Sequence, residues 1–257
     1  MAEAIISGIK KTNLFCNITV SEPINARRTH LLETYQVNVA KNNVIAVQKA
    51  DLIILAVKPQ SFNELSSEIC DILSVNQTIL SIMAGINLHH ISMNLNHHKI
   101  VRVMPNTPAQ VGKGVAVWTA TDSVDSKMLK FIKSVLQSCG IETKVNEEKY
   151  IDIATAISGS GPAYVFLFIE ALIDAGIKLG LESGLAKRLA IETVLGSAHL
   201  ASNSTKQPSD LRRMVTSPGG TTESGLKTLE SHGFNTSIDR AVNSAFNRGI
   251  ELSKEER

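Results

Sequence analysis

Aromatic side chains are scarce in this sequence: they make up 4% of 257 residues, with a single tryptophan. That scarcity argues against a base-stacking platform for nucleic acid. Charge of one sign is not in excess either. Lys and Arg number 26 against 24 Asp and Glu, a formal net charge of +2, so no strong field draws the chain to nucleic acid or to a membrane surface. The three cysteines, Cys16, Cys70 and Cys139, are odd in number and far apart. With no CxxC pair, they exclude a disulfide framework and point to reduced thiols in a cytoplasmic protein. The N-terminus has no basic stretch followed by an apolar one, so a signal peptide is not expected. No nucleophile elbow is present. The pairs His89-His90 and His97-His98 have no carboxylate between them, so they read as a solvated helix and no metal site is expected.

What is present is a globular composition, 43% hydrophobic and 19% charged, enough to build a sizeable core. The stretch from Ala163 to Leu181 is apolar enough to raise the question of a membrane span. Glu170, Asp174 and Lys178 recur along it every fourth residue. One polar stripe on an apolar cylinder predicts a helix buried on most of its surface, not a lipid-spanning one.

The first half alternates strand-like and helix-like segments. Continuous apolar runs at Asp51 to Val57, Thr78 to Ala84 and Ile100 to Met104 suit parallel strands covered on both faces. Asn17 to Ser21, Val115 to Ala120 and Ile141 to Val145 read as further strands, with helices over Ala26 to Tyr35 and Ser126 to Ser138. This alternation implies a doubly wound, mostly parallel α/β sheet. After Asn146 the pattern changes to helices alone, so the expected division is an α/β domain over residues 1–146 and an all-helical domain over 147–257.

Four loops have the composition of ligand sites. Ala56-Val57-Lys58-Pro59 and Met104-Pro105-Asn106-Thr107-Pro108 leave the carboxyl ends of strands, where open α/β sheets bind ligands. The prolines stiffen the second of these. Ser158-Gly159-Ser160-Gly161-Pro162 and Thr216-Ser217-Pro218-Gly219-Gly220-Thr221-Thr222 read as glycine-rich leads into helices. There the backbone can approach a ligand closely, and free N–H groups attract a small carboxylate. The bland alternatives are an ordinary surface lysine, a rigid turn and two capped helix starts.

Taken together, AVKPQ at 56–60, SIMAGI at 81–86, RVMPNTPA at 102–109, SGSGPAY at 158–164 and VTSPGGTT at 215–222 resemble the pyrroline-5-carboxylate reductase family, in that order along the chain. The resemblance implies a Rossmann-like domain followed by a helical dimerisation domain. It implies homodimers, assembled further into a decamer as a pentamer of dimers. The implied reaction is reduction of 1-pyrroline-5-carboxylate, a cyclic imino acid, to L-proline by NADPH or NADH. By the same resemblance, cofactor contacts fall on Ser21, Asn43, Ala56, Val57, Lys58, Pro59 and Asn106. Substrate contacts fall on Ser217, Gly219, Gly220, Thr221 and Thr222, with Thr222 hydrogen-bonded to the ring nitrogen. Glu22 suits the free ribose of NADH, whereas Arg27 and Arg28 suit a 2′-phosphate; the reading leans to NADPH.

The family pattern opens with a strand and a G-x-G-N-M-A loop, of which Met1 to Gly8 matches only the tail. Facing edges of the flanking strands are therefore expected to lack ladder partners, and in-frame codons for the strand and loop are expected upstream of Met1. Two competing readings remain. Another β-hydroxyacid-dehydrogenase-like reductase would need a lysine on the first long helix of the second half, where only Lys178 stands, late in the helix. A catalytically impaired fragment would keep only the dimerisation contacts, and a dinucleotide titration separates it from an enzyme.

Overall fold

The computed structural model describes the whole chain except Asn13, Phe15, Glu256 and Arg257. The α/β part begins with α1 (Ala2–Lys11), β1 (Thr19–Ser21), α2 (Asn25–Tyr35), β2 (Asn38–Ala40), α3 (Asn43–Val47) and β3 (Leu52–Leu55). It continues through α4 (Phe62–Ile69), β4 (Thr78–Ser81), α5 (Leu88–Leu95), β5 (Ile100–Met104), β6 (Gly114–Ala120), α6 (Ser126–Gln137), β7 (Gly140–Lys144) and α7 (Lys149–Ala154). The helices α8 (Gly161–Lys178), α9 (Ser183–Asn203), α10 (Pro208–Met214), α11 (Thr221–Ser231) and α12 (Phe234–Glu255) follow.

Five strands form one sheet in the order β3-β4-β5-β6-β7, parallel throughout except for the antiparallel pair β5–β6. The pair β1–β2 is parallel and forms a separate sheet. No ladder joins β1 to β3 among the described residues, which is the interruption expected from the sequence. Helix α1 packs on both sides of this break. Its Ala4, Ile5 and Ile9 pack with Ile54 of β3, Ile82, Ala109 and Val135, while its Ile6 packs with Leu31, Val37 and Val20. Side-chain burial, not backbone pairing, thus ties the small sheet to the large one.

Residue alternation along the strands distributes the core to both faces. Ile53, Ile79 and Ile100 meet Phe62, Leu65 and Ile69 of α4 and Ile91 and Leu95 of α5 on one face. Leu80, Val101, Val103 and Trp118 meet Ile132 and Leu136 of α6 on the other. Each large aliphatic side chain so buried contributes about 1.5–3 kcal/mol. Asn42, Asn87 and Asp125 begin α3, α5 and α6 by accepting the amides of Ile45, His90 and Met128.

By packing, the chain divides into a unit of residues 1–160 with 244–257 and a unit of residues 161–243. The α/β unit therefore takes in α7 and the end of α12, beyond the boundary at 146. The second unit is α8, α9, α10, α11 and the first part of α12, with no strand among its residues. The expectation for α8 needs correcting. Phe166 and Leu167 are 57% and 66% exposed, and Val165, Phe168 and Leu172 are exposed as well. The narrow polar stripe was read correctly, but among the described residues much of the apolar remainder stays exposed. α8 is also the end of a helical stretch long and apolar enough, by length and composition, to cross a membrane.

Candidate active site

Loops at the carboxyl ends of strands carry the first group of candidate residues. Ser21 is the last residue of β1, Asn43 opens α3 just after β2, and Ala56 to Pro59 leave β3. Ala56, Val57 and Lys58 are exposed. Pro59 starts a single 3-10 turn, in which the Lys58 carbonyl accepts the Ser61 amide. The side chain of Asn43 donates to Glu68 of α4 at 2.6 Å, which braces the β2–α3 corner.

Helix α1 begins at Met1 with no side-chain cap, and its ladder starts at the bond from the Ile5 amide to the Met1 carbonyl. The amides of its first turn lie outside that ladder and form an anion-attracting end. Glu3 stands in that turn but is turned aside. His30, Arg27 and Tyr35 all hydrogen-bond its carboxylate, at 2.7, 2.7 and 3.1 Å. The bond from His30, then that from Arg27, hold its pKa down at about 2. Arg28 instead donates to the carbonyls of Glu22 and Pro23, over the turn that follows β1. Glu22 folds back to accept the Ile24 amide.

Asn106 follows β5 and is 7% exposed. Its Oδ1 accepts the Val115 amide at 2.8 Å and its Nδ2 donates to the Ser158 carbonyl at 3.0 Å. It therefore braces the Pro105–Pro108 loop against both β6 and the segment beyond α7. Met1, Ile5, Ile82, Pro105, Ala109 and Val115 line an apolar crevice beside this loop.

Residues 158–162 are not a loop, contrary to the sequence reading. Residues Thr155–Gly159 form a π-helical turn that continues α7, closed by the bond from the Ser160 amide to the Thr155 carbonyl, and Ser160, its cap, keeps helical backbone angles. Serine and glycine are poor helix formers, so tertiary contacts hold this turn. A Cβ on Gly159 would stand 2.7 Å from Met104 Cε, so only glycine fits without moving Met104. The segment offers no free helix start for an anion.

The loop Ser217–Thr222, in the second unit, does match its reading as a glycine-rich lead into a helix. Gly219 has φ +70°, a left-handed conformation that favours glycine. Gly220 is the N-cap of α11 without a side-chain bond, and the ladder begins with the Ser224 amide on the Gly220 carbonyl. The amides of Thr221, Thr222 and Glu223 are thus left for another acceptor. Two other amides are already used. The Gly219 amide donates to Glu223 Oε2 at 2.8 Å and the Gly220 amide to the Ser217 carbonyl at 3.0 Å. The Glu223 carboxylate, paired through its other oxygen with Lys227, was not foreseen from the sequence.

Arg102 was missed as well. It lies within the RVMPNTPA string, yet nothing in its neighbourhood along the chain announces its partners, Glu148 and Asp152. The histidine pairs are not simply solvated. His97 is buried and donates through Nε2 to the Gln77 carbonyl, and the ring of His90 lies against Phe62. Among the described residues no three His, Cys, Asp or Glu side chains gather as metal ligands.

Two family models match the chain. Residues 148–252 match pyrroline-5-carboxylate reductase dimerisation, and residues 1–85 match NADP oxidoreductase coenzyme F420-dependent. The chain is 40% identical over 257 residues to a pyrroline-5-carboxylate reductase of a Synechocystis species, covering 99% of this chain and 95% of that one. Among solved structures, a pyrroline-5-carboxylate reductase from Coxiella burnetii superimposes with a TM-score of 0.90 at 35% identity, over 98% of this chain and 94% of the other. The pyrroline carboxylate reductase of Plasmodium falciparum, solved with NADP bound, gives 0.89 at 34% identity over the same shares.

Proposed function

The chain belongs to the pyrroline-5-carboxylate reductase family, and from that premise we propose which of its residues carry the reaction. It is an NAD(P)H-dependent oxidoreductase of proline biosynthesis that reduces 1-pyrroline-5-carboxylate to L-proline. The substrate is a cyclic imine with a carboxylate. Reduction delivers hydride to the C=N carbon and a proton to the nitrogen.

The residues present fit a dinucleotide at two points. The uncapped start of α1, with Glu3 neutralised by Arg27, suits a pyrophosphate. The stiff Pro105–Pro108 loop, at the carboxyl end of β5 and beside the apolar Ile82, suits the wall for a flat ring. Ser21, Asn43, Ala56, Val57, Lys58 and Pro59 would hold the nucleotide end, with Arg28 toward a 2′-phosphate and hence NADPH over NADH. Asn106 would set the wall at the ring. The bound cofactor supplies the hydride.

The single observation that carries the substrate assignment is the start of α11. It offers the amides of Thr221, Thr222 and Glu223 outside any ladder, beside the hydroxyls of Ser217, Thr221 and Thr222. Such a set binds a carboxylate without a cationic side chain. The Thr222 hydroxyl then donates to the ring nitrogen and orients the imine. Residues 147–257 form the dimerisation and substrate half. The apolar face of α8 is a subunit interface rather than a membrane contact, further assembly gives a decamer, and the protein works in the cytoplasm.

Thr222→Ala tests the assignment. Turnover falls roughly 10²-fold, the scale of a lost positioned donor, while NADPH affinity and thermal midpoint stay unchanged. Unaltered turnover in this variant removes Thr222 from the mechanism.

A further inference from the structure

Arg102 lies in the middle of β5, paired with Ser81 of β4 and Thr119 of β6, and its side chain is 3% exposed. Guanidinium stays charged in proteins, and burying it is costly unless it is well partnered. Its Nη1 donates to Glu148 Oε1 at 2.8 Å and its Nη2 to Asp152 Oδ1 at 2.7 Å. Its Nε is buried with no partner. Glu148 Oε1 also accepts the amide of Leu88, the first residue of α5.

Arg102, Met104 and Asn106 are spaced by two along extended chain, so they project to one side of it. All three touch the same helical segment. Arg102 binds Asp152 of α7, Met104 abuts Gly159, and Asn106 holds the Ser158 carbonyl. Between these fasteners lies the π-turn, a backbone form that is scarce and concentrated at functional sites. Stability alone does not account for the charges, since apolar replacement of a buried ion pair is often neutral or stabilising. Direct substrate binding does not either, because both Nη atoms are committed and the side chain is closed off from solvent.

We propose that Arg102 is a positioning residue for hydride transfer. Through Glu148 and Asp152 it seats the Thr155–Gly159 turn on Met104 and Asn106, and so fixes the Pro105–Pro108 wall of the cofactor site. This rests on the reading of that loop given above. A lapse of about 1 Å at such a wall can lower turnover by about 10²-fold.

The test uses Asp152→Asn, Arg102→Lys and Arg102→Met in the full chain, with Asn106→Ala and Thr222→Ala alongside. Amide exchange of residues 155–160 is expected to rise at least about tenfold in Asp152→Asn and Arg102→Lys, while that of β4 stays near wild type. NADPH affinity, read by titration, stays within about threefold, and kcat falls about tenfold or more with a smaller change in KM. The isotope effect of deuterated NADPH on kcat rises, because the chemical step becomes slower relative to product release. If Arg102→Met does not fold, the milder two variants decide. Turnover near wild type in both, or a loss that follows the unfolded fraction with an unchanged isotope effect, overturns the proposal. If Asn106→Ala and Thr222→Ala also leave turnover intact, the site reading itself is wrong; if they impair it, only the role of Arg102 is.

Discussion

Gly140 and Gly114 meet backbone to backbone where β6 and β7 begin. A Cβ built on Gly140 would overlap the Gly114 carbonyl oxygen, and Gly140 holds φ +146°. The Gly114 amide in turn donates to the Cys139 carbonyl at 2.8 Å. Backbone atoms cannot swing aside as a side-chain end can, so strain and overlap act together. Gly140→Ala is expected to lose about 2–4 kcal/mol of stability. A urea midpoint equal to that of the wild type would refute this.

Glu3 gives a pH signature. Its folded pKa of about 2 lies below its ordinary 4.5. A depressed carboxyl contributes stability that is complete above the ordinary value and lost as pH falls toward the folded one. The stability gap between wild type and Glu3→Gln should therefore be full at pH 7, shrink below about pH 4.5 and close near pH 2. Urea unfolding of both proteins across that range checks it, and a gap that stays constant would rule out the carboxylate as its source.

What the sequence disclosed and what it withheld follow physical lines. Ile100–Met104 was legible to the residue, because a continuous apolar run stopped by Pro105 leaves little choice. The change to helices alone after Asn146 was legible too, because no strand-like apolar run follows that point. Ser158–Pro162 was misread, since its local preference is for a loop and its helical form depends on Asn106 and Met104, far away along the chain. Arg102 was invisible as a clamp because Glu148 and Asp152 lie 46 and 50 residues beyond it. Burial of α8 was misjudged because an apolar stripe says that something covers it, not that the same chain does. The Ser217–Thr222 loop was read through its glycines and hydroxyls, yet Glu223 was overlooked, because its carboxylate turns back onto Gly219 only once the helix has formed.

That carboxylate leads to the next expectation. Glu223 occupies the first turn of α11 beside amides proposed to bind the substrate carboxylate, and like charges repel. Glu223→Gln keeps an acceptor for the Gly219 amide and removes the charge. KM for the imino acid should fall about two- to fivefold, the scale of one exposed charge interaction, with kcat little changed. A KM that stays constant or rises would mean that substrate carboxylate does not approach this helix start.

The exposed apolar surface of the helical half demands a cover. Leu167 on α8 and Leu195 on α9 are 66% and 61% exposed, and Phe166 on α8 and Leu189 on α9 are more than half exposed. So many exposed large apolar side chains on two long helices are the mark of an interface or of a lipid contact. Glu170, Asp174 and Lys178 lie along α8 itself, and unpaired charges in lipid are expensive. The matching of residues 148–252 to a dimerisation model agrees with a protein partner. Light scattering of the wild type at micromolar concentration should give at least twice the 27.8 kDa of one chain. Leu167→Asp and Leu195→Asp, each placing a charge in that surface, should shift the population toward single chains and lower the thermal midpoint. A wild-type mass of 27.8 kDa, or recovery of the protein with sedimented lipid vesicles, would show that a second copy is not what covers this surface.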